Sequence, residues 1–119
     1  MQRFESFRAF WPHYLREHAR PATRSLHFAG TTLVLLIAAA SAATRNWWLL
    51  AAIPIAGYGF AWLSHALIER NRPATFAHPW WSLRADFRMW RLWLAGRLGS
   101  ELREAGIEQP ARKQLTNGR

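Results

Sequence analysis

The chain has 119 residues with a formal net charge of +9, and half of its residues are hydrophobic. This length allows one domain, and the mean hydropathy of -0.18 averages an apolar centre with two basic ends. Because the sequence contains no cysteine, disulfide bonds and thiolate metal sites are excluded, and any metal would need histidine and carboxylate ligands.

An aromatic segment precedes the apolar centre. Five of its side chains recur at intervals of three and four residues: Phe4, Phe7, Trp11, Tyr14 and His18. This spacing puts them on one face of a helix, with arginines elsewhere on its surface. We therefore predict an interfacial helix over residues 4–18, whose aromatic face lies on the membrane or on the hairpin. His13 lies off this face, and we assign it no functional role.

Two apolar runs follow, at residues 26–43 and 47–68, and only the sequence TRN separates them. The first run would form about 27 Å of helix, close to the thickness of the hydrocarbon core of a bilayer, and the second is longer. So short a connection forces the two helices to be antiparallel. We predict an all-α fold: an integral membrane hairpin of two transmembrane helices, with amphipathic interfacial helices on the cytoplasmic side.

Two alternatives account for the first apolar run. Its sequence AAASAA resembles the cleavage site of a signal peptide, but a long aromatic segment precedes the run and a second apolar run follows at once. Both runs could instead be core helices of a soluble protein. The rest of this chain is too short to cover them.

The basic residues flank the two spans, with five before the first, one between them and ten after the second. The positive-inside rule then places both termini in the cytoplasm, and the expected location is the inner membrane of a bacterium. Because these charges border membrane segments, we expect membrane lipid as the anionic partner and no nucleic acid.

A second amphipathic helix is predicted after the spans, over residues 82–98. Its apolar stripe and its basic side both have helical spacing: Leu83, Phe87, Trp90, Leu94 and Leu98 on the first, Arg84, Arg88 and Arg91 on the second. Residues 1–98 are thus expected to form one membrane domain. Residues 99–119 are expected to form a polar, disordered C-terminal tail.

The hairpin should bring together histidines that are distant in sequence. The start of the first span and the end of the second meet at one membrane depth, which brings His27 level with His65. His18 lies just before the first span, and His78 follows the second in the segment PATFAHP, which two prolines bracket as a rigid loop. We predict that these four histidines form one metal site.

On the second helix, Tyr58, His65 and Glu69 share a face. A carboxylate at the edge of a bilayer is costly unless it pairs or binds a cation, so Glu69 is a candidate ligand or an outer partner of an imidazole. Histidines with a carboxylate suit iron, zinc or manganese, and a facial set with open positions is typical of iron(II) enzymes that use O₂. For each histidine alone, an interfacial side chain without metal is the alternative.

Polar residues after the second span are further candidates. Arg70 and Arg72 are explained most simply as topology signals that contact lipid phosphate. Alternatively, Arg72 binds the carboxylate of an amphiphilic substrate whose tail lies in the bilayer. Asn71 would form a hydrogen bond in the turn or to this substrate, and Tyr58 is a further candidate for substrate binding.

Two segments, FWPHYLREHARPATRSLHFAGT and GYGFAWLSHALIERNRPATFAHPWWSLRADFRMW, closely resemble a family of small membrane proteins that includes the eukaryotic 2-hydroxy fatty acid dioxygenase of the endoplasmic reticulum. The resemblance covers about residues 4–98. It implies an iron(II)-dependent α-oxidation, in which a long-chain 2-hydroxy fatty acid and O₂ give a fatty acid one carbon shorter. This chain is shorter than the eukaryotic enzymes and is expected to have one hairpin. Its oligomeric state can therefore differ from theirs, and a homo-oligomer is one alternative.

The resemblance also implies roles for individual residues. The family's histidines correspond to His18, His27, His65 and His78, which would be iron ligands or direct supports of ligands. Glu69 would be a ligand or would orient an imidazole, and Arg72 would hold the substrate carboxylate.

Two rival functions come from other classes. A haem-binding electron carrier would use His27 and His65 as axial ligands. A non-catalytic lipid-binding hairpin would need no metal, and its histidines should tolerate replacement.

Overall fold

The computed structural model describes residues 4–73 and 77–107, and every element below lies in that part of the chain. Its helices are α1 (Phe7–Arg16), α2 (Pro21–Thr44), α3 (Ala52–Ser64), α4 (Pro79–Leu94) and α5 (Leu98–Glu104). A 3₁₀ turn over Trp47–Ala51 leads into α3, and a π-helical segment over His65–Glu69 continues it. The described residues contain no strand, which confirms the all-α prediction.

The centre of the fold is the predicted hairpin. Its two helical runs, Pro21–Thr44 and Trp47–Glu69, have mean hydropathies of 1.8 and 1.4 over their most apolar stretches and are long enough to cross a membrane. In each run, 22% of this stretch is buried inside the fold, so most of it faces outward. A left-handed backbone at Arg45, with φ of 55°, ends α2 and permits the short connection.

A glycine allows the two long helices to approach closely. A Cβ atom at Gly30 of α2 would lie 3.1 Å from Cβ of Phe60 and 3.3 Å from the carbonyl oxygen of Ala56, both on α3. Neither atom is the free end of a flexible side chain. Small residues at such contacts are typical of helix pairs in membranes, where close backbone packing stabilises association.

Helix α1 packs its aromatic face against the rest of the fold, while its other face is exposed. Its fully buried residues Phe10, Tyr14 and Leu15 form one apolar core with residues of α4 and α5. The N-terminus of α1 is capped by Ser6, whose hydroxyl accepts a hydrogen bond from the Ala9 N–H at 3.1 Å. The aromatic periodicity therefore marks a packing face that covers one end of the hairpin.

The buried face of α4 differs from the predicted stripe. Ser82, Ala85 and Met89 are buried, whereas Leu83 and Leu94 are 43% and 59% exposed. Ser82 and Ala85 are small and let neighbouring helices approach α4 closely. The packing gained on this face stabilises the fold more than burial of the larger residues would. Leu83 lines a cavity and Leu94 faces outward, whereas Leu98, the last residue of the predicted stripe, is buried in the core.

Arginines of α4 also differ from expectation, because two of them cover aromatic rings of α1. The guanidinium of Arg84 lies 4.1 Å from the ring centre of Phe7, and that of Arg88 lies 4.9 Å from the ring centre of Trp11. Cation–π contacts of this kind stabilise packing at partly exposed sites. These arginines therefore help to hold α1 against α4.

The start of the predicted polar tail is a helix. In α5, Leu98 and Leu102 are buried in the core, and Glu101 accepts a hydrogen bond from the indole N–H of Trp11 at 3.0 Å. Helix α5 has seven residues, too few for its hydrophobic periodicity to be recognised in the sequence. For this reason residues 99–107 are included in the predicted tail. The rest of that predicted tail, residues 108–119, lies outside the described residues.

Candidate metal centre

Three of the predicted histidines meet in the interior. His18 follows α1, His27 lies on the second turn of α2, and His65 opens the π-helical segment after α3. Their exposed fractions are 1%, 5% and 2%. Nε2 of His18 lies 3.0 Å from Nε2 of His27 and 3.1 Å from Nε2 of His65. The ligand atoms of all three lie within 4.8 Å of one another.

The position of His18 depends on a buried arginine of α2. Nη1 of Arg24 donates hydrogen bonds to the carbonyl oxygens of His18 and Ala19, both at 2.8 Å. Arg24 itself is 7% exposed, and the Glu69 carboxylate stabilises its charge beside the two carbonyl oxygens. In the sequence this residue counts among the topology charges, yet it fixes the connection between α1 and α2.

The position of His65 depends on the way its helix ends. Arg70 has a left-handed backbone, with φ of 54°, and the N–H of Asn71 donates to the carbonyl oxygen of His65 at 3.0 Å. This reversal brings the Asn71 side chain back to the imidazole, where Oδ1 lies 2.6 Å from Nδ1 of His65. Nδ2 of Asn71 donates to the carbonyl oxygen of Glu17 at 3.2 Å, which fixes the orientation of the amide.

Each imidazole has an acceptor on its outer nitrogen. Nδ1 of His18 lies 2.7 Å from the carbonyl oxygen of Tyr14, and Nδ1 of His27 lies 3.0 Å from that of Thr23. With Asn71 at His65, all three outer nitrogens carry the proton, so all three Nε2 lone pairs point toward one another. Metal-binding histidines are oriented by outer hydrogen bonds of this kind.

This donor set fits a single metal ion. Imidazole nitrogens bind a metal ion at about 2.1 Å, so two of them that meet the ion at a near-right angle lie about 3 Å apart. The distances from Nε2 of His18 to Nε2 of His27 and of His65 have this value. Burial, followed by the neighbouring His27 and His65, lowers the pKa of His18 well below its usual value. The neutral imidazole is the form that binds metal, and converging lone pairs repel one another unless a cation lies between them.

Glu69 does not join the three imidazoles. Its Oε1 accepts hydrogen bonds from the backbone N–H of Arg20 and the hydroxyl of Thr23, both at 2.8 Å. The prediction assumed an α-helix, in which His65 and Glu69 share a face, whereas the wider π-helical turn alters this alignment. The carboxylate instead ties the end of the second long helix to the start of α2.

The structure also places His78 apart from these three histidines. Its ring lies against Phe10 and Trp81, with centroids 5.3 Å away in both cases, and against Phe4 at 5.5 Å. Part of the loop that was expected to present it, residues 74–76, lies outside the described residues. His13, to which no role was assigned, forms an ion pair with Glu17 at 2.9 Å.

A cavity of about 280 Å³ opens beside His27 between α2, α3 and α4. Most of its wall is apolar, and its lining includes Val34, Ile53, Leu83 and Phe87. Tyr58, a predicted substrate-binding residue, is on this wall, whereas Arg72 is exposed on the turn after the π-helical segment. Such a cavity, with few polar groups in an apolar lining, is typical of sites for small amphiphilic molecules.

Two polar residues near this cavity were not among the predicted site residues. Asp86 of α4 lies on its wall, and the hydroxyl of Tyr14 donates a hydrogen bond to the Asp86 carboxyl group. Burial raises the pKa of Asp86 to about 7, and burial together with Asp86 raises that of Tyr14. Asp86 is the one acidic residue between positions 70 and 100 and shares a helix face with Leu83, a signal that could have identified it.

Comparison with known proteins gives one match. The model of a family described as 2-hydroxy-palmitic acid dioxygenase Mpo1-like matches residues 4–98, a range that contains the three converging histidines and the cavity. No curated protein matches the chain, and no solved structure does.

Proposed function

The chain belongs to the Mpo1-like family, and from this premise we propose that it is an iron(II)-dependent dioxygenase that shortens long-chain 2-hydroxy fatty acids by one carbon. The observation that carries the proposal is the buried set of His18, His27 and His65, which borders an apolar cavity through His27. A metal donor set beside an apolar cavity suits an amphiphilic substrate with a metal-binding head group.

The three histidines are the proposed iron ligands. Iron(II), when bound, would supply chelation of the 2-hydroxy carboxylate and activation of O₂. The protein holds Nε2 of each imidazole unprotonated by giving Nδ1 an acceptor, which is Tyr14, Thr23 or Asn71. Burial of all three rings keeps bulk water away from them.

The remaining candidates take supporting roles in this proposal. Tyr58 contacts the substrate from the cavity wall, and Arg72 attracts its carboxylate to the protein surface. Asn71 orients His65 rather than the substrate, and Glu69 fixes the start of α2. We assign His78 to aromatic packing.

The acyl chain would lie in the cavity between the two long helices. Each methylene removed from water contributes about 0.8 kcal/mol, so an apolar wall of this kind favours long chains. The outward-facing apolar surface of both helices supports insertion into a membrane, from which such a substrate would enter. From the distribution of basic residues, we place both termini on the cytoplasmic side. The location that we propose for the hairpin is the inner membrane of a bacterium.

The haem alternative conflicts with the position of His18. Nε2 of His18 lies within 3.1 Å of Nε2 of both His27 and His65, the two candidate axial ligands. It therefore occupies the space that a porphyrin would need between them. The non-catalytic lipid-binding alternative makes the opposite prediction about the histidines, namely that their replacement changes no activity.

The test compares His65→Ala with His13→Ala in protein purified in detergent and loaded anaerobically with iron(II). His65→Ala should lose O₂-dependent shortening of 2-hydroxypalmitic acid and most of its iron, because one of three ligands is gone. His13→Ala should keep both, since this side chain pairs with Glu17 outside the donor set. Equal activity in the two variants would refute the proposal, and zinc as the bound metal of the active form would correct the choice of iron.

A further inference from the structure

The wall of the cavity carries a carboxyl group that the metal site does not use. Asp86 faces this cavity from α4, beside the apolar residues Leu83 and Phe87. An acidic group in such surroundings is costly unless it is hydrogen-bonded. Tyr14 meets part of that requirement through its hydroxyl, which donates to Oδ1 of Asp86.

One hydrogen bond uses only part of the hydrogen-bonding capacity of this carboxyl group. A carboxyl group has two oxygens and about four acceptor positions when ionised, and it can donate when protonated. Burial raises the pKa of Asp86 to about 7, so near neutral pH the group can act in either way and tolerates a nearby anionic head group better than an ordinary aspartate. Asp86 thus has hydrogen-bonding capacity to offer a molecule in the cavity.

Tyr14 links this carboxyl group rigidly to the metal centre. Its ring stacks on the ring of His18 with centroids 4.1 Å apart, and its carbonyl oxygen accepts from Nδ1 of the same histidine at 2.7 Å. Tyr14 is fully buried, so it has little freedom to move. One residue therefore sets the positions of both His18 and Asp86.

We infer that Asp86 is the residue that selects 2-hydroxy fatty acids over unsubstituted ones, by forming a hydrogen bond with the 2-hydroxyl group. The inference rests on the proposed function, which places the substrate head group at the three histidines and its tail along the apolar wall. The 2-hydroxyl is on the carbon next to the carboxylate, so a polar group on the wall of the cavity that His27 also lines is suited to contact it. An unsubstituted acid would leave the Asp86 carboxyl group facing methylene groups, and sites built to bind a substrate hydroxyl reject analogues that lack it.

The experiment measures the dissociation constants of 2-hydroxypalmitate and palmitate for the metal-loaded protein in lipid nanodiscs. The preference is the ratio of the two constants, and metal content is determined on the same samples. Asp86→Leu should reduce the preference about tenfold or more, because a hydrogen bond to an ionisable group is lost, while metal content stays that of the wild type. Asp86→Asn should keep most of the preference, since an amide both donates and accepts.

A further variant covers the case in which Asp86→Leu does not fold because the buried Tyr14 hydroxyl loses its partner. The double variant Tyr14→Phe with Asp86→Leu removes both polar groups, which is far less costly for folding, and should show the same loss of preference. The metal makes the same contribution to the preference in every variant that retains it. This contribution therefore cancels when the preference of a variant is compared with that of the wild type.

The outcomes separate this inference from the proposed function. If the variants without the carboxyl group keep metal and the full wild-type preference, Asp86 does not select the substrate, although the protein still acts on 2-hydroxy acids. If the wild-type protein binds metal but shows no preference and no turnover of 2-hydroxypalmitate, the proposed function fails and the inference fails with it.

Discussion

Replacement of Asn71 by alanine should weaken metal binding although this residue is no ligand. The change removes the acceptor 2.6 Å from Nδ1 of His65, and with it the contact that fixes the tautomer and the orientation of this imidazole. Loss of an outer partner typically lowers metal affinity 10- to 100-fold, which corresponds to about 1.4–2.7 kcal/mol. We expect a loss within this range, because the backbone of the π-helical segment still holds His65 near its place.

The second hydrogen bond of Asn71 provides a matched control. Its Nδ2 donates to the carbonyl oxygen of Glu17 at 3.2 Å, a bond that contributes about 0.5–1.5 kcal/mol to folding rather than to metal affinity. Asn71→Asp keeps the acceptor for His65 and loses only this donor. It should therefore bind metal at least as tightly as the wild type while unfolding more easily.

Metal affinity for Asn71→Ala, Asn71→Asp and the wild type is measured by anaerobic competition with a chelator of known affinity. Zn²⁺ serves as a redox-inert probe beside iron(II), since both accept three histidines. Thermal unfolding of the metal-free proteins reports the folding contribution separately. An affinity of Asn71→Ala within twofold of the wild type would show that packing alone orients His65, and the role given to Asn71 would be withdrawn.

Three further predictions follow from the same geometry. Glu69→Ala should lower the free energy of unfolding by about 1–3 kcal/mol, because two donors at the start of α2 lose their acceptor, while elemental analysis still finds full metal content. Gly30→Ala should destabilise the protein by about 1–3 kcal/mol through its contact with Phe60, whereas Gly59→Ala, whose Cβ would meet nothing within 4 Å, should be neutral or stabilising in the same thermal unfolding assay. Reporter fusions after residue 46 and at the C-terminus should lie on opposite sides of the membrane, and a shared side would refute the membrane hairpin.

The hairpin and three of the site residues could be predicted from sequence because they depend on local patterns. Two apolar runs with a short connection leave one antiparallel arrangement, and this arrangement alone brings His27 level with His65. His18 can be placed because it lies two residues after the short helix that precedes α2. Helical spacing and chain connectivity are sufficient for these three residues.

Sequence spacing did not locate the side chains whose positions depend on tertiary packing. Nothing in the sequence HALIE indicates a π-helical turn, so Glu69 was placed on the face of His65 and Asn71 was not recognised as its partner. The position of His78 depends on the path of a loop, which spacing does not determine. Asp86 was overlooked because an acidic residue among arginines on an amphipathic helix usually faces water, and only the packing of α1 shows that it is partly buried and paired with Tyr14.

The connection between α1 and α2 explains why the candidate metal centre needs more than a hairpin. Two antiparallel helices supply His27 and His65, but the third imidazole comes from this connection, which would be free to move if nothing held it. Its consecutive carbonyl groups at residues 17–19 accept hydrogen bonds from side chains of both long helical runs, Arg24 at the start of the first and Asn71 just after the second. The aromatic packing of α1 against α4 and α5 then fixes the other end of the segment. The short flanking helices therefore place the third histidine, and through Tyr14 they place the carboxyl group of Asp86 on the wall of the apolar cavity as well.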